Sequence, residues 1–230
     1  MQSETMAGKS MQFLFGDREL LIQVQDLVAA PVEVIVNASN PTLTHTGGVA
    51  SQIVQKAGQQ VQAESEQLIK EYGQIDSGMA VYTMAGELPY KAVIHAVGPT
   101  MGEGDEQRML ELAVSRSLQL CEMNEWQSVA FPAISAGFSG VPLSVCSQAF
   151  FRAITRFWDA RQDCVPDKIL LCMTERNFQE FFDAFREEGI NEPVSNTSSA
   201  QQAGESYGEV DLSDADIGSL KNDEIDDWFK

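Results

Sequence analysis

The sequence is poor in the side chains that build metal centres. It has only two histidines in 230 residues, His45 and His95, far apart in the chain. No two of its four cysteines, Cys121, Cys146, Cys164 and Cys172, form a Cys-x-x-Cys pair. Neither a zinc site nor a dithiol redox motif is therefore predicted, and no cofactor or metal is expected. Cys146 and Cys172 lie in apolar stretches, where a thiol packs as a small core residue, so reduced, structural cysteines are expected. Basic residues are also scarce, 15 against 34 acidic ones, for a formal net charge of -19. That balance repels polyanions at long range and argues against nucleic acid or an anionic membrane surface as partner. No apolar run reaches membrane-spanning length, and the N-terminus lacks the basic-then-apolar layout of a signal peptide. A soluble intracellular protein, cytoplasmic by expectation, follows from this reading.

What the sequence does have is a strong α/β pattern over its first 188 residues or so. Val32 to Val36 is a β-branched run with apolar residues on both faces, as in a strand covered on both sides, and it ends in Asn37-Ala38-Ser39-Asn40-Pro41. From Gly48 onward, Val49, Ile53, Val54 and Ala57 recur at helical spacing, placing Gly47-Gly48 where a loop enters a helix. The first amides of a helix have no internal partner and the helix dipole favours negative charge there, so a diphosphate could be held without any lysine. Glycines that merely make a tight turn would give the same signal.

Along the chain, residues 1 to about 10 are polar and expected to be loose. Gly8-Lys9-Ser10 matches the end of a phosphate-binding P-loop, but Ser3 stands where that loop needs glycine and no strand precedes it. Strands are predicted at Met11–Phe15 and Glu19–Gln25, joined by a Gly16-Asp17 turn, then at Met79–Met84, Lys91–Val97, Ser128–Pro132 and Lys168–Met173. Helices are predicted from Gly48 to about Ala57, over Gln60–Tyr72, Met109–Met123 and Leu143–Trp158, and around the stripe Phe178, Phe181, Phe182 and Phe185. His95, inside Val93-Ile94-His95-Ala96-Val97, reads as a hydrogen-bonded core histidine. A second glycine-bearing loop, Ala133 to Pro142, also links a strand to a helix. Ligands of open α/β sheets bind at the carboxyl ends of strands, so both loops are expected to converge on one cleft. Residues 189–230 are acidic and Ser/Thr/Gln-rich at their start, too poor in apolar surface to offset ordering entropy. They read as a disordered solubility tail, or one whose Ile217, Leu220, Ile225, Trp228 and Phe229 form a short helix for a protein partner. The Asn196-Thr197-Ser198 sequon is treated as chance.

Five motifs in chain order resemble those of the macrodomain family, the ADP-ribose-binding α/β module, over about residues 12 to 187. Gln25-Asp26-Leu27 is similar to its Gly-Asp-Ile/Leu element, and Ile35-Val36-Asn37-Ala38-Ser39-Asn40 to its Val-Asn-Ala-Ala/Ser-Asn strand end. His45-Thr46-Gly47-Gly48-Val49-Ala50 resembles its first phosphate loop, Ile94-His95-Ala96-Val97-Gly98-Pro99 a signature strand, and Phe131-Pro132-Ala133-Ile134-Ser135-Ala136-Gly137 its second loop. The resemblance implies a three-layer α/β/α fold with a mixed sheet of about six strands. It implies that Asp26 accepts from the adenine amino group, with Leu27 beside it, that Asn40 holds the distal ribose hydroxyls, and that Asn37 is also among the ligand-binding residues. It further implies that the amides of Gly47, Gly48, Val49 and Ala50 and of Ser135, Ala136, Gly137, Phe138, Ser139 and Gly140 wrap the diphosphate and distal ribose.

Three positions depart from the family pattern. Ala50 stands where one hydrolytic branch has a water-positioning aspartate, although branches with the same His-x-Gly-Gly-Val-Ala pattern are hydrolytic. Ser139 stands where an aromatic packs on the distal ribose, with Phe138 one residue earlier, and Thr174 where an aromatic often stacks on adenine. Two functions remain open at this level. One is a metal-independent hydrolase that removes mono-ADP-ribose from acidic side chains or cleaves related ADP-ribosyl esters. In it, Asn40 orients the ribose and His45 either tunes the water or merely faces solvent. The other is a reader that binds free or protein-linked ADP-ribose without cleaving it. The pattern around His45 tips the reading slightly to the hydrolase.

Overall fold

The computed structural model describes residues 9–161 and 164–187; residues 1–8 and the acidic tail with its expected terminal helix lie outside them. Seven strands form one sheet: β1 (Ser10–Phe15), β2 (Arg18–Val24), β3 (Val34–Ser39), β4 (Ala80–Met84), β5 (Ala92–Val97), β6 (Ser128–Pro132) and β7 (Lys168–Met173). Their spatial order is β1-β2-β7-β6-β3-β5-β4. β1 and β4 pair antiparallel at the two edges, whereas β2, β7, β6, β3 and β5 run parallel. All seven runs that read as strands pair here, where the family resemblance implied about six.

β1 and β2 are joined by the two-residue loop Gly16-Asp17, with Phe15 opposite Arg18 and Gly16 at φ 64°. That left-handed conformation suits glycine and matches the strand twist. The N-terminal boundary is earlier than expected. Lys9 O accepts from Val24 N at 3.0 Å, and the Lys9 ammonium pairs with Glu175 at 3.1 Å, so the sheet already includes residues 9 and 10.

Helices α1 (Gly48–Ala57) and α2 (Gln59–Tyr72) cover one face of the sheet; α3 (Glu106–Met123), α4 (Leu143–Asp159) and α5 (Glu175–Glu187) cover the other. The alternation along β3 explains the layering. Val34 and Val36 enter the α3/α4/α5 core and Ile35 the α1/α2 core, all fully buried. Aromatic side chains fill the larger core. Phe150 of α4 meets Phe131 of β6 and Phe181 of α5 edge-on, with centroids 5.7 and 5.5 Å apart. The phenylalanine stripe of α5 is thus core packing. The four cysteines are free and buried.

At the β4 edge, the Glu64 carboxylate of α2 accepts the Met84 amide at 2.7 Å. Among the described residues no helix is long and apolar enough to cross a membrane.

Candidate functional site

Because the five inner strands run parallel, their carboxyl ends share one edge of the sheet, and the loops leaving them meet there. The chain after β2 supplies Asp26, which starts a single 3₁₀ turn, Leu27–Ala29. Its Oδ1 accepts from Val28 N at 3.3 Å while Oδ2 lies 3.8 Å from the Lys56 ammonium of α1. Leu27 is buried beneath it, and the Tyr90 hydroxyl reaches the carbonyls of Leu27 and Ala30 at 3.3 and 3.2 Å, holding the turn in place. Asp26 is therefore exposed and anchored at once. Lys56 and Tyr90 carry no motif, and nothing in the sequence links them to Asp26.

β3 delivers Asn37 and Asn40 differently. Asn37 is fully buried, whereas Asn40 is exposed and folded into its own loop. Its amide donates to Thr44 Oγ1 at 2.6 Å, and its carbonyl accepts from Thr44 N at 3.0 Å and Thr42 Oγ1 at 3.2 Å. This ring of bonds shapes the path from Asn40 to His45. Beyond it, Gly47 stands at the N-cap of α1, with no side-chain cap bond, and Gly48 adopts φ 56°. The space where a Cβ would stand at either glycine is open. The amides of Gly48, Val49 and Ala50 form the bare end of a ten-residue helix.

The loop after β6 is closed on itself by the bond from Val141 N to Ser135 O, 3.1 Å, and from Gly140 N to Gly137 O, 3.1 Å. Ser135 at φ 61° and Gly140 at φ 71° turn the chain in the left-handed region. Ser139 O accepts from Met101 N at 2.9 Å, tying this loop to the one after β5. The described backbone bonds do not use the amides of Gly137, Phe138 and Ser139. Phe138 is fully exposed.

Three buried polar atoms along this edge have no partner among the described residues: Gln25 Nε2 after β2, Asn37 Oδ1 in β3 and Ser135 Oγ after β6. Buried polar groups are rarely left unpaired, and three of them on the parallel strands β2, β6 and β3 or the chain just after them mark a place for a polar ligand or solvent. Among the described residues no group of histidine, cysteine and carboxylate side chains is arranged to hold a metal ion.

Behind Asn37 lie the two imidazoles. His95 of β5 stands in register with Asn37 and is completely buried; its Nδ1 is 3.2 Å from Asn37 Nδ2 and its Nε2 3.0 Å from Thr83 Oγ1. Burial, reinforced by the neighbouring His45, pushes its pKa down to about 3, so it is neutral. His45 is half-buried rather than solvent-facing. Its Nε2 is 3.1 Å from Ser65 Oγ and its Nδ1 3.4 Å from Asn37 Nδ2, and burial lowers its pKa also.

Residues 36–150, which carry both glycine loops and the strands before them, match the family model described as Macro domain. The chain belongs to the macrodomain family. Among curated relatives, this macrodomain is 42% identical over 152 residues to an O-acetyl-ADP-ribose deacetylase of Klebsiella pneumoniae, covering 65% of this chain and 86% of that protein. It is 38% identical over 172 residues to the human protein mono-ADP-ribosyltransferase PARP14, covering 73% of this chain but 10% of the human protein. It also spans 30% of an uncharacterised Thermotoga maritima protein. Solved structures share the fold. An Oceanobacillus iheyensis macrodomain with ADP superposes with a TM-score of 0.74 at 24% identity, covering 79% of this chain and 97% of that one. A Trypanosoma brucei macrodomain in complex with ADP-ribose gives 0.64 at 22% identity, covering 71% and 68%.

Thr174, which the resemblance placed at an adenine-stacking position, directly precedes α5, and its hydroxyl accepts from Asn177 N at 3.3 Å. In this macrodomain that residue is committed to helix capping. Ala50 is 6% exposed and offers only a methyl group to the first loop.

Proposed function

We propose that this macrodomain binds ADP-ribose across the strand ends and hydrolyses mono-ADP-ribose from acidic side chains of modified proteins, or cleaves related ADP-ribosyl esters, without a metal. The observation that carries the reading is the uncapped N-terminus of α1 on the same strand edge as the self-closed Ser135–Gly140 loop, two sets of backbone donors suited to a diphosphate. Asp26 on that edge supplies an acceptor for an adenine amino group, with Leu27 beneath the base. A relative named as an O-acetyl-ADP-ribose deacetylase and a structural neighbour solved with ADP-ribose favour the same ligand.

In this reading Asn40 exchanges part of its bonding to Thr42 and Thr44 for the distal ribose hydroxyls. Water held between Asn40 and the diphosphate adds to the ester. The ester bond breaks, one proton of the water passes to the departing ribose oxygen and the other to solvent, and the products are ADP-ribose and the free carboxylate, the loop amides stabilising the negative charge that develops. Both His45 nitrogens face protein groups, so His45 serves the site by holding the loop. The second reading, a non-catalytic reader, is favoured by Ala50, which supplies no carboxylate to position water.

The deciding experiment is a time course on a glutamate-linked mono-ADP-ribosylated protein with wild type and Asn40→Ala, scoring released ADP-ribose and retained complex. Release that depends on Asn40 is the expected result. Retention without release makes the protein a reader.

A further inference from the structure

Most of the polar side chains buried on the α1/α2 face of the sheet belong to one hydrogen-bonded chain that runs from the first glycine loop back to β4. The protons in that chain can be assigned from its ends. Ser65 Oγ donates to Val61 O, 2.7 Å away in its own helix. A hydroxyl has one proton, so toward His45 Nε2 at 3.1 Å the oxygen only accepts, and His45 carries its proton on Nε2. His45 Nδ1 is then a bare lone pair facing Asn37 Nδ2 at 3.4 Å. The same amide nitrogen lies 3.2 Å from His95 Nδ1 and 2.9 Å from Ser39 Oγ. The two amide protons cannot serve three acceptors, and the Ser39 hydroxyl, 3.4 Å from His95 Nδ1, supplies the third proton. With these donors around it His95 Nδ1 also accepts, and its Nε2–H donates to Thr83 Oγ1 at 3.0 Å. The opposite orientation of the Asn37 amide would need both rings protonated on Nδ1, which sets the bare His45 Nε2 against the lone pairs of Ser65. The two rings stand 5.3 Å apart at 43°.

The arrangement ties the loop to the body of the domain. His45 lies two residues before Gly47, the N-cap of α1. The Asn40–Thr44 bonds shape the first half of the connection from β3; the second half is held through the His45 ring, gripped by α2 on one side and by β3 on the other. Ser65, Thr83 and His95 are buried to 99%, 98% and 100%, and they connect to the loop through His45 and through Asn37 and Ser39 of β3.

We propose that Ser65, Thr83 and His95 are positioning residues for the diphosphate loop, fixing His45 as its Nε2–H tautomer and thereby the path of Thr46-Gly47-Gly48 into α1. The consequence for affinity rests on the proposed ADP-ribose reading; the consequence for the loop does not. The test uses the full-length protein labelled with ¹⁵N-histidine, as wild type, Thr83→Val, Thr83→Ser and Ser65→Ala. It reads the histidine tautomers, the hydrogen exchange of the Gly48, Val49 and Ala50 amides, and ADP-ribose affinity. Wild-type His45 and His95 both show the Nε2–H pattern. Thr83→Val, which lies three hydrogen-bond steps from His45, through His95 and Asn37, shifts the His45 resonances and speeds exchange of the loop amides. It also weakens ADP-ribose about fivefold, the scale of one hydrogen bond. Ser65→Ala does the same more directly, and Thr83→Ser restores all three readouts. A wild-type His45 protonated on Nδ1, or loop amides in Thr83→Val and Ser65→Ala that exchange as in wild type, overturns the proposal. Should wild type itself not bind ADP-ribose, the functional reading falls, and the tautomer and exchange readouts still decide whether these residues position the loop.

Discussion

Gly98 packs so closely on Ser135 that any side-chain carbon at Gly98 would overlap Ser135 Oγ and the Ile134 γ-methyl. The chain leaving β5 thereby presses against the loop leaving β6 at the residue where that loop enters the left-handed region. Glycine is required by this approach, not by its own backbone angles. Gly98→Ala should cost about 1–3 kcal/mol in urea unfolding, the usual range for overpacking, and should weaken ADP-ribose in a calorimetric titration. Unchanged affinity would mean that the second loop does not hold the ligand.

Asp26 is already engaged before any ligand arrives, by Val28 N and by the more distant Lys56 ammonium. Asp26→Asn keeps a capping oxygen and removes the charge, so the 3₁₀ turn should persist. If the carboxylate receives the adenine amino group, this variant should weaken ADP-ribose roughly tenfold while leaving ribose 5-phosphate unaffected, since a hydrogen bond to a charged group contributes about 1.5–3 kcal/mol. Equal losses for the two ligands would remove adenine from Asp26.

Acid should destabilise this domain through its buried imidazoles. The unfolded chain protonates His95 near pH 6.5, whereas the folded protein resists protonation until about pH 3, so the unfolded state binds the extra proton between those values. Stability therefore falls as pH drops through that window, approaching about 1.4 kcal/mol per pH unit from this one group. His45, whose pKa is also lowered, acts in the same direction. Urea unfolding of wild type and His95→Gln at pH 7 and pH 5 checks this. Wild type should lose about 2 kcal/mol more than the variant between the two conditions. Parallel losses would show that His95 is not the group being protonated.

The fold was legible wherever apolar side chains repeat. β3 announced itself by branched residues facing both ways, and the β1–β2 hairpin by Gly16-Asp17; most element ends agree within a residue. α3 begins three residues before its expected start at Met109, and its first residue, Glu106, takes the amides of Gly102 and Gly104 in the preceding loop at 2.7 and 3.3 Å. A polar first turn of this kind carries no apolar signal. The turn Leu27–Ala29 is too short for any period, and its buttress Tyr90 is 60 residues or more away from the carbonyls it holds. His95 read correctly as a hydrogen-bonded core residue, yet its partners Asn37 and Thr83 follow from strand register, which a single sequence does not display. His45 shows the same gap: as a polar residue before two glycines it allows a water-tuning or solvent-facing reading, and only the packing of α2 brings Ser65 to its ring.

The bond from the Glu64 carboxylate to Met84 N guards the open border of the sheet. β4 has β5 on one side only, and its outward backbone groups could template a strand from another molecule. An incoming strand would first have to displace a charge-assisted bond at Met84 and then lie beside the released carboxylate. The helix that packs over the sheet thus also discourages edge-to-edge aggregation, and it does so with a residue that takes no part in the cleft.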